Sequence, residues 1–271
     1  MSLLPIDRQY LQCAANGQLK EMNWCLQTGG ADPYATDQEG GIFEEVVLHN
    51  PSVIQPIFVQ KGFNALHFAC CKQRDLVSGE LLEKYPKLAN QPDSKGLTPP
   101  FYFLNQSRIS PETFEAFVSS ETKFDHQDED GWTPLHTLAL QPNYFVYLKQ
   151  VVLGTVKKVQ TALREWLPLE PLGALVTSYL HLAPGMSPES LNLQTLRGKQ
   201  TPLNIAIDAR NHEAIEILRL QTDLTLKDSL GKTIEESLKN YDLSLNSDSP
   251  QIENLDEYNR LLQRNCCCVI Q

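Results

Sequence analysis

Asp128-Glu129-Asp130-Gly131-Trp132-Thr133-Pro134-Leu135-His136-Thr137-Leu138-Ala139 joins a turn to a helix start. Aspartate bonds its own backbone in a turn, and glycine accepts a positive φ without a Cβ clash. Threonine then offers its side-chain oxygen to a free amide, and proline suits the first helical position, whose N–H is unpaired in any case. Leu135, Leu138 and Ala139 continue at helical spacing.

Related phrases recur on both sides. Gly62, Gly96, Gly131, Gly198 and Gly231 are separated by 34, 35, 67 and 33 residues. The 67 is close to two periods. After these glycines come Asn64-Ala65-Leu66-His67-Phe68-Ala69-Cys70, Thr98-Pro99-Pro100-Phe101 and Thr201-Pro202-Leu203-Asn204-Ile205-Ala206. Asp93-Ser94-Lys95-Gly96 and Asp228-Ser229-Leu230-Gly231 repeat the acidic turn. Second helices follow on schedule, as in Glu213-Ala214-Ile215-Glu216-Ile217-Leu218.

These residues resemble the ankyrin repeat, whose period is about 33 and whose helix opens Thr-Pro-Leu-His-x-Ala. The resemblance implies an all-α fold, an ankyrin-repeat solenoid of stacked helix-turn-helix units with a helical insertion and a flexible C-terminal tail. It also implies a concave surface of loops and first helices that binds a protein partner. The match covers most of residues 8–240, giving a solenoid over 1–240, an acidic linker with a short helix over 241–264 and a lipidation tail over 265–271. Tyr10 to Asp37 reads as a capping repeat without its Thr-Pro opening, and Asp37 to Lys61 as a truncated helical pair. Pro100 and Phe101 stand where Leu and His are expected, which predicts an offset helix at 98–104. His67 and His136 are expected to bridge adjacent repeats, and Cys70 and Cys71 to fill space on a first helix.

The helical insert spans about 144–190. From Tyr144 to Trp166 the residues Phe145, Leu148, Val152, Val156, Val159, Leu163 and Trp166 recur as one amphipathic face, with Gly154 weakening the helix. Leu167-Pro168-Leu169-Glu170-Pro171-Leu172-Gly173-Ala174-Leu175-Val176-Thr177-Ser178-Tyr179-Leu180 is similar to the opening of F-box and SOCS-box helices, which dock on ubiquitin-ligase adaptors. On that reading Leu167, Pro168, Leu172, Leu175 and Tyr179 are partly exposed. The other reading makes the segment a variant repeat between Gly131 and Gly198.

Composition narrows the function classes. The chain has 271 residues and a formal charge of −10, so it offers no broad positive field for nucleic acid. No apolar run reaches the roughly 20 residues of a bilayer-spanning helix, and the amino end lacks the pattern of a secretory signal. Seven cysteines at 13, 25, 70, 71, 266, 267 and 268 do not form a disulfide framework, which points to reducing conditions. The six histidines show no His-Glu-x-x-His, and Cys-x-x-Cys, the phosphate-binding glycine loops and Gly-x-Ser-x-Gly are all missing. The expectation is a non-catalytic protein without metal or cofactor. An unrecognised enzyme stays as an alternative and needs a pocket of convergent polar groups.

The last residues, Asn265-Cys266-Cys267-Cys268-Val269-Ile270-Gln271, end in Cys268-Val269-Ile270-Gln271, which resembles the prenylation box. That resemblance implies a prenyl group on Cys268, a eukaryotic prenyltransferase as partner, and a farnesyl rather than a geranylgeranyl chain. One lipid holds a bilayer only marginally. Cys266 and Cys267 are the expected second signal through palmitoylation, because acidic residues precede the tail. A redox or metal-binding tract, or an unused tail, is the other reading. Degenerate repeats, a large insert and a lone prenyl box together look like the ankyrin effectors that intracellular bacterial pathogens inject through type IV secretion, although a eukaryotic gene could carry the same features. The expected location is the cytosolic face of a eukaryotic membrane.

Overall fold

A turn that closes on its own aspartate sets the geometry of the chain. In the computed structural model, which describes residues 4–43, 57–106, 108–152 and 186–245, Asp93 Oδ1 accepts from the amides of Lys95 and Leu97 at 2.8 and 3.0 Å. The Asp93 amide donates to the Leu97 carbonyl at 2.9 Å, and Gly96 takes φ 77° at the corner. Asp228 repeats this with the amides of Leu230 and Lys232. A helix starts directly after each turn.

The fold is predominantly helical, and its described residues divide into two compact units, 4–122 with 126–129, and 123–125 with 130–245. Unit 1 holds α1 (Pro5–Asn16), α2 (Leu19–Gln27), α3 (Ala65–Cys71), α4 (Asp75–Lys84), α5 (Pro99–Leu104) and α6 (Pro111–Ser119). α3 packs on α1, α4 and α5, while α4 packs on α6. First helices therefore lie against first helices, and second against second. Within a pair, the tight turn contains a left-handed residue, Gly17 or Gln73, and its following amide reaches back to Cys13 or Ala69 at 2.9 and 2.8 Å. Unit 2 holds α7 (Pro134–Leu140), α8 (Phe145–Val152), α9 (Pro202–Asp208), α10 (His212–Leu218) and α11 (Ile234–Leu245). α7 packs on α8 and α9, α10 on α8 and α9, and α11 on α9.

Helix starts follow the chemistry of their caps. Thr133 Oγ1 accepts from the His136 amide while His136 Nδ1 accepts from the Thr133 amide at 3.1 Å. Asn64 and His67 form the same box, as do Thr201 and Asn204. Because Nδ1 is an acceptor, the proton sits on Nε2, which donates to the next turn: His67 to the Leu97 carbonyl and His136 to the Gln200 carbonyl, both at 3.0 Å. Both rings are fully buried, and burial pushes each pKa down from 6.5 to about 4. The bridging role expected for these histidines is thus met. α5 is not offset, since it begins at Pro99 directly after Thr98, as α7 begins at Pro134. Phe101, in the histidine position, has no ring nitrogen to close the box, and Thr98 Oγ1 stays buried without a hydrogen bond.

Adjacent turns stack through their backbones. Lys61 and Lys95 carbonyls accept from Ser94 and Glu129 amides at 2.7 and 3.2 Å in unit 1. Asp130 and Gly198 carbonyls accept from Leu196 and Ser229 amides, both at 2.9 Å, in unit 2. The interval of 67 residues is therefore a single step of the stack, not two periods. α7 packs directly on α9, and Asn211 Nδ2 reaches the Ala139 carbonyl at 2.9 Å, as Arg74 Nε reaches that of Ala15 at 3.0 Å. Of the insert expected over 144–190, residues 153–185 lie outside the described residues, and both ends are ordered into elements of the stack. α8 is the second helix of its pair, with Leu148, Val151 and Val152 buried. The 3₁₀ turn Pro188–Asn192 precedes Thr195 as Pro86–Asn90 precedes Asp93.

Two further expectations are corrected. The residues after Asp37 form no helical pair where they are described: β1 (Gly41–Phe43) pairs antiparallel with β2 (Ile57–Val59). Asp37 and Gly62 nonetheless make the bonds of Asp93 and Gly96. The Asp37 amide donates to Phe63, and the Gly62 amide to Asp37. The chain between them is a long outgrowth of one turn. α11 runs through Leu245, past the boundary expected at 240, because Ile234, Ser237 and Tyr241 bury one face at helical spacing.

Gly198 is not the corner of its turn. The Thr195 amide donates to the Gln200 carbonyl across one extra residue, and Lys199, with φ 48°, takes the left-handed place. A Cβ on Gly96 would stand 3.1 Å from Asp128 Cα, and one on Gly131 2.8 Å from the Leu196 nitrogen, whereas one on Gly198 meets only the Gln200 side chain. Gly96→Ala and Gly131→Ala should each cost about 1–3 kcal/mol in urea unfolding. Gly198→Ala should stay within about 0.5 kcal/mol, and Lys199→Gly should gain about 0.5 kcal/mol.

The buried rings make a second expectation. An unfolded histidine binds a proton below about 6.5 that the folded ring refuses until about 4, so stability is complete above that window and falls as pH drops through it. Each ring contributes up to about 1.4 kcal/mol per pH unit. His136→Asn retains the cap, as Asn204 does naturally, and should remove one ring's share of the slope between pH 6.5 and 4 in denaturant titrations. An unchanged slope would contradict the assignment.

Candidate functional site

Each cap also determines which side chain comes just before it. Phe63, Leu97, Trp132, Gln200 and Lys232 precede Asn64, Thr98, Thr133, Thr201 and Thr233. In unit 1 this position serves the core: Phe63 and Leu97 are buried, and the Phe63 ring lies 5.0 Å from His67 and 4.9 Å from Tyr102. In unit 2 the same position is partly open. Trp132, Gln200 and Lys232 are all half-buried. Trp132 lies 5.5 Å from the His136 ring, and Gln200 Nε2 donates to Asp208 Oδ2 at 2.7 Å, at the end of α9. An aromatic ring, an amide and an ammonium group thus follow one another on successive turns. That column has the chemistry of a protein-binding surface, in which an aromatic anchor is flanked by adaptable polar groups.

The turn tips differ between the units. Unit 1 presents Ser94, Lys95, Asp128 and Glu129. Unit 2 presents Leu196 and Leu230, which are 67% and 89% exposed, with Arg197 at 3.5 Å from Asp130. Sequence alone does not single out these residues or the column. Their positions within the repeated phrase were visible, but their exposure was not, since Leu97 and Trp132 occupy the same place with opposite outcomes.

The thiols offer no nucleophile among the described residues. Cys13, Cys25, Cys70 and Cys71 are buried and none is in a disulfide. Burial pushes the Cys13 thiol up to about 12 and raises those of Cys25 and Cys70, so they stay protonated at neutral pH. This suits the expected role of Cys70 and Cys71 as space-filling side chains. No group of three or more His, Cys, Asp or Glu is placed to hold a metal ion among the described residues. No helix among them is long and apolar enough to cross a membrane.

The remaining expected sites, Leu167, Pro168, Leu172, Leu175 and Tyr179 in the insert, and Cys266, Cys267, Cys268, Val269, Ile270 and Gln271 in the tail, lie outside the described residues. No protein-family model matches the chain, and no curated protein matches it at a significant level.

Proposed function

We propose that the chain is an ankyrin-repeat scaffold that binds a protein partner through the column Trp132, Gln200 and Lys232, and that a prenylated tail holds it on the cytosolic face of a eukaryotic membrane. The observation that carries the reading is the repeated unit itself. A turn closed by aspartate or threonine, a capped first helix and a carbonyl-to-amide step to the next turn recur across separate parts of the sequence. Such arrays present long surfaces whose framework stays constant while the side chains on it vary. The framework here repeats while the column is chemically varied, which is the division of labour a binding module needs. The tether rests on the terminal Cys268-Val269-Ile270-Gln271, and an origin as an injected bacterial effector rests on resemblance alone.

Expression of the full chain in eukaryotic cells, followed by membrane fractionation, capture and mass spectrometry, tests both halves. The Trp132→Ala/Lys232→Glu double variant should retain at least about tenfold less partner at an unchanged melting temperature, as truncating an interface anchor does. Cys268→Ser should move the chain to the cytosol, and intact mass should lose an isoprenoid. Full retention by the double variant would remove the column as the binding face, and unchanged fractionation of Cys268→Ser would remove the tether.

A further inference from the structure

The two turns at 195–200 and 228–232 carry apolar tips that no packing requirement explains. Leu196 and Leu230 are 67% and 89% exposed, and the turns are joined by the bond from the Ser229 amide to the Gly198 carbonyl. Arg197, Lys199 and Lys227 stand on the same turns and are exposed. Arg197–Asp130, Arg219–Glu216 and Lys239–Glu235 are ion pairs of unit 2, and Lys199 and Lys227 belong to none of these three, although Lys227 lies in the field of the Glu236 carboxylate. Of the acidic groups nearby, Asp228 is occupied by its own turn, where it accepts from the amides of Leu230 and Lys232, and Glu236 accepts from the Thr233 amide.

We infer that these two tips form a contact for an anionic bilayer surface. A leucine at the end of a projecting turn touches a rigid protein only where that protein offers a matching pocket, whereas lipid closes around it from every side. Cations beside it meet the headgroup layer, in which anionic lipids attract lysine and arginine near the surface. The charge of −10 on the whole chain does not prevent this, because screening over about 8 Å at physiological salt leaves the local charges to decide. The polar tips of unit 1, Ser94, Lys95, Asp128 and Glu129, lack the leucines and take no part. The inference deepens the tethered-scaffold reading and rests on it for its cellular setting. It supplies the second membrane signal that a single lipid chain needs.

The test uses the full chain made in bacteria, which add no prenyl group, so failure of the tail and failure of the tips are read separately. Sedimentation with vesicles of phosphatidylcholine alone, and of phosphatidylcholine with about a third phosphatidylserine, should show binding to the second set only, reduced several-fold in high salt. Leu196→Asp/Leu230→Asp should lower the bound fraction at least about tenfold, since each leucine loses its apolar transfer. Lys199→Glu/Lys227→Glu should act in the same direction, with melting temperatures unchanged because all four side chains are exposed. Equal binding to both vesicle types, no binding, or binding that ignores the variants overturns the inference. So does loss of a captured protein partner by the leucine variant in vesicle-free extract, which would make the tips a protein contact.

Discussion

Backbone approaching backbone is the constraint on which the described structure depends. Each turn gives a carbonyl to an amide of the next, at 2.7 to 3.2 Å in unit 1 and at 2.9 Å in unit 2. Peptide groups meet that closely only where no Cβ intervenes, which is why Gly96 and Gly131 stand over backbone atoms. Once the turns are held at this spacing, the helices behind them have little freedom. Their caps stand two residues after the corner, and first helices are brought against first helices.

The buried imidazoles add a second connection at the same level. His67 and His136 close their own helix caps through Nδ1 and reach the next turn through Nε2, so one side chain satisfies buried groups of two consecutive turns. Where the ring is replaced by Phe101, the helix still starts in its place, but Thr98 Oγ1 loses its partner. Proline at the first position and the packing of α5 on α3 hold that start without the full cap.

Such a frame tolerates additions where the chain passes out of it. Additional chain separates Asp37 from Gly62, whose bonds persist across it, and separates α8 from the 3₁₀ turn at Pro188. Neither addition disturbs a turn-to-turn step. The functional proposals use the variable parts of the same frame: the column in front of the caps for a protein, and the leucine tips for a bilayer.

The repeated phrase was legible from residues alone, because the cap, the corner glycine and the apolar spacing are local requirements that a helix start and a tight turn impose on any chain. Thr133-Pro134-Leu135-His136 therefore announced α7, and His136 announced its bridge. Register between distant segments was not legible. That Asp130 meets Leu196, that Lys199 and not Gly198 turns the corner, and that Trp132 stays partly open while Leu97 is buried all depend on which backbone lies opposite. Two identical intervals in sequence can hold one step or two, and only hydrogen bonds between segments far apart in the chain decide between them.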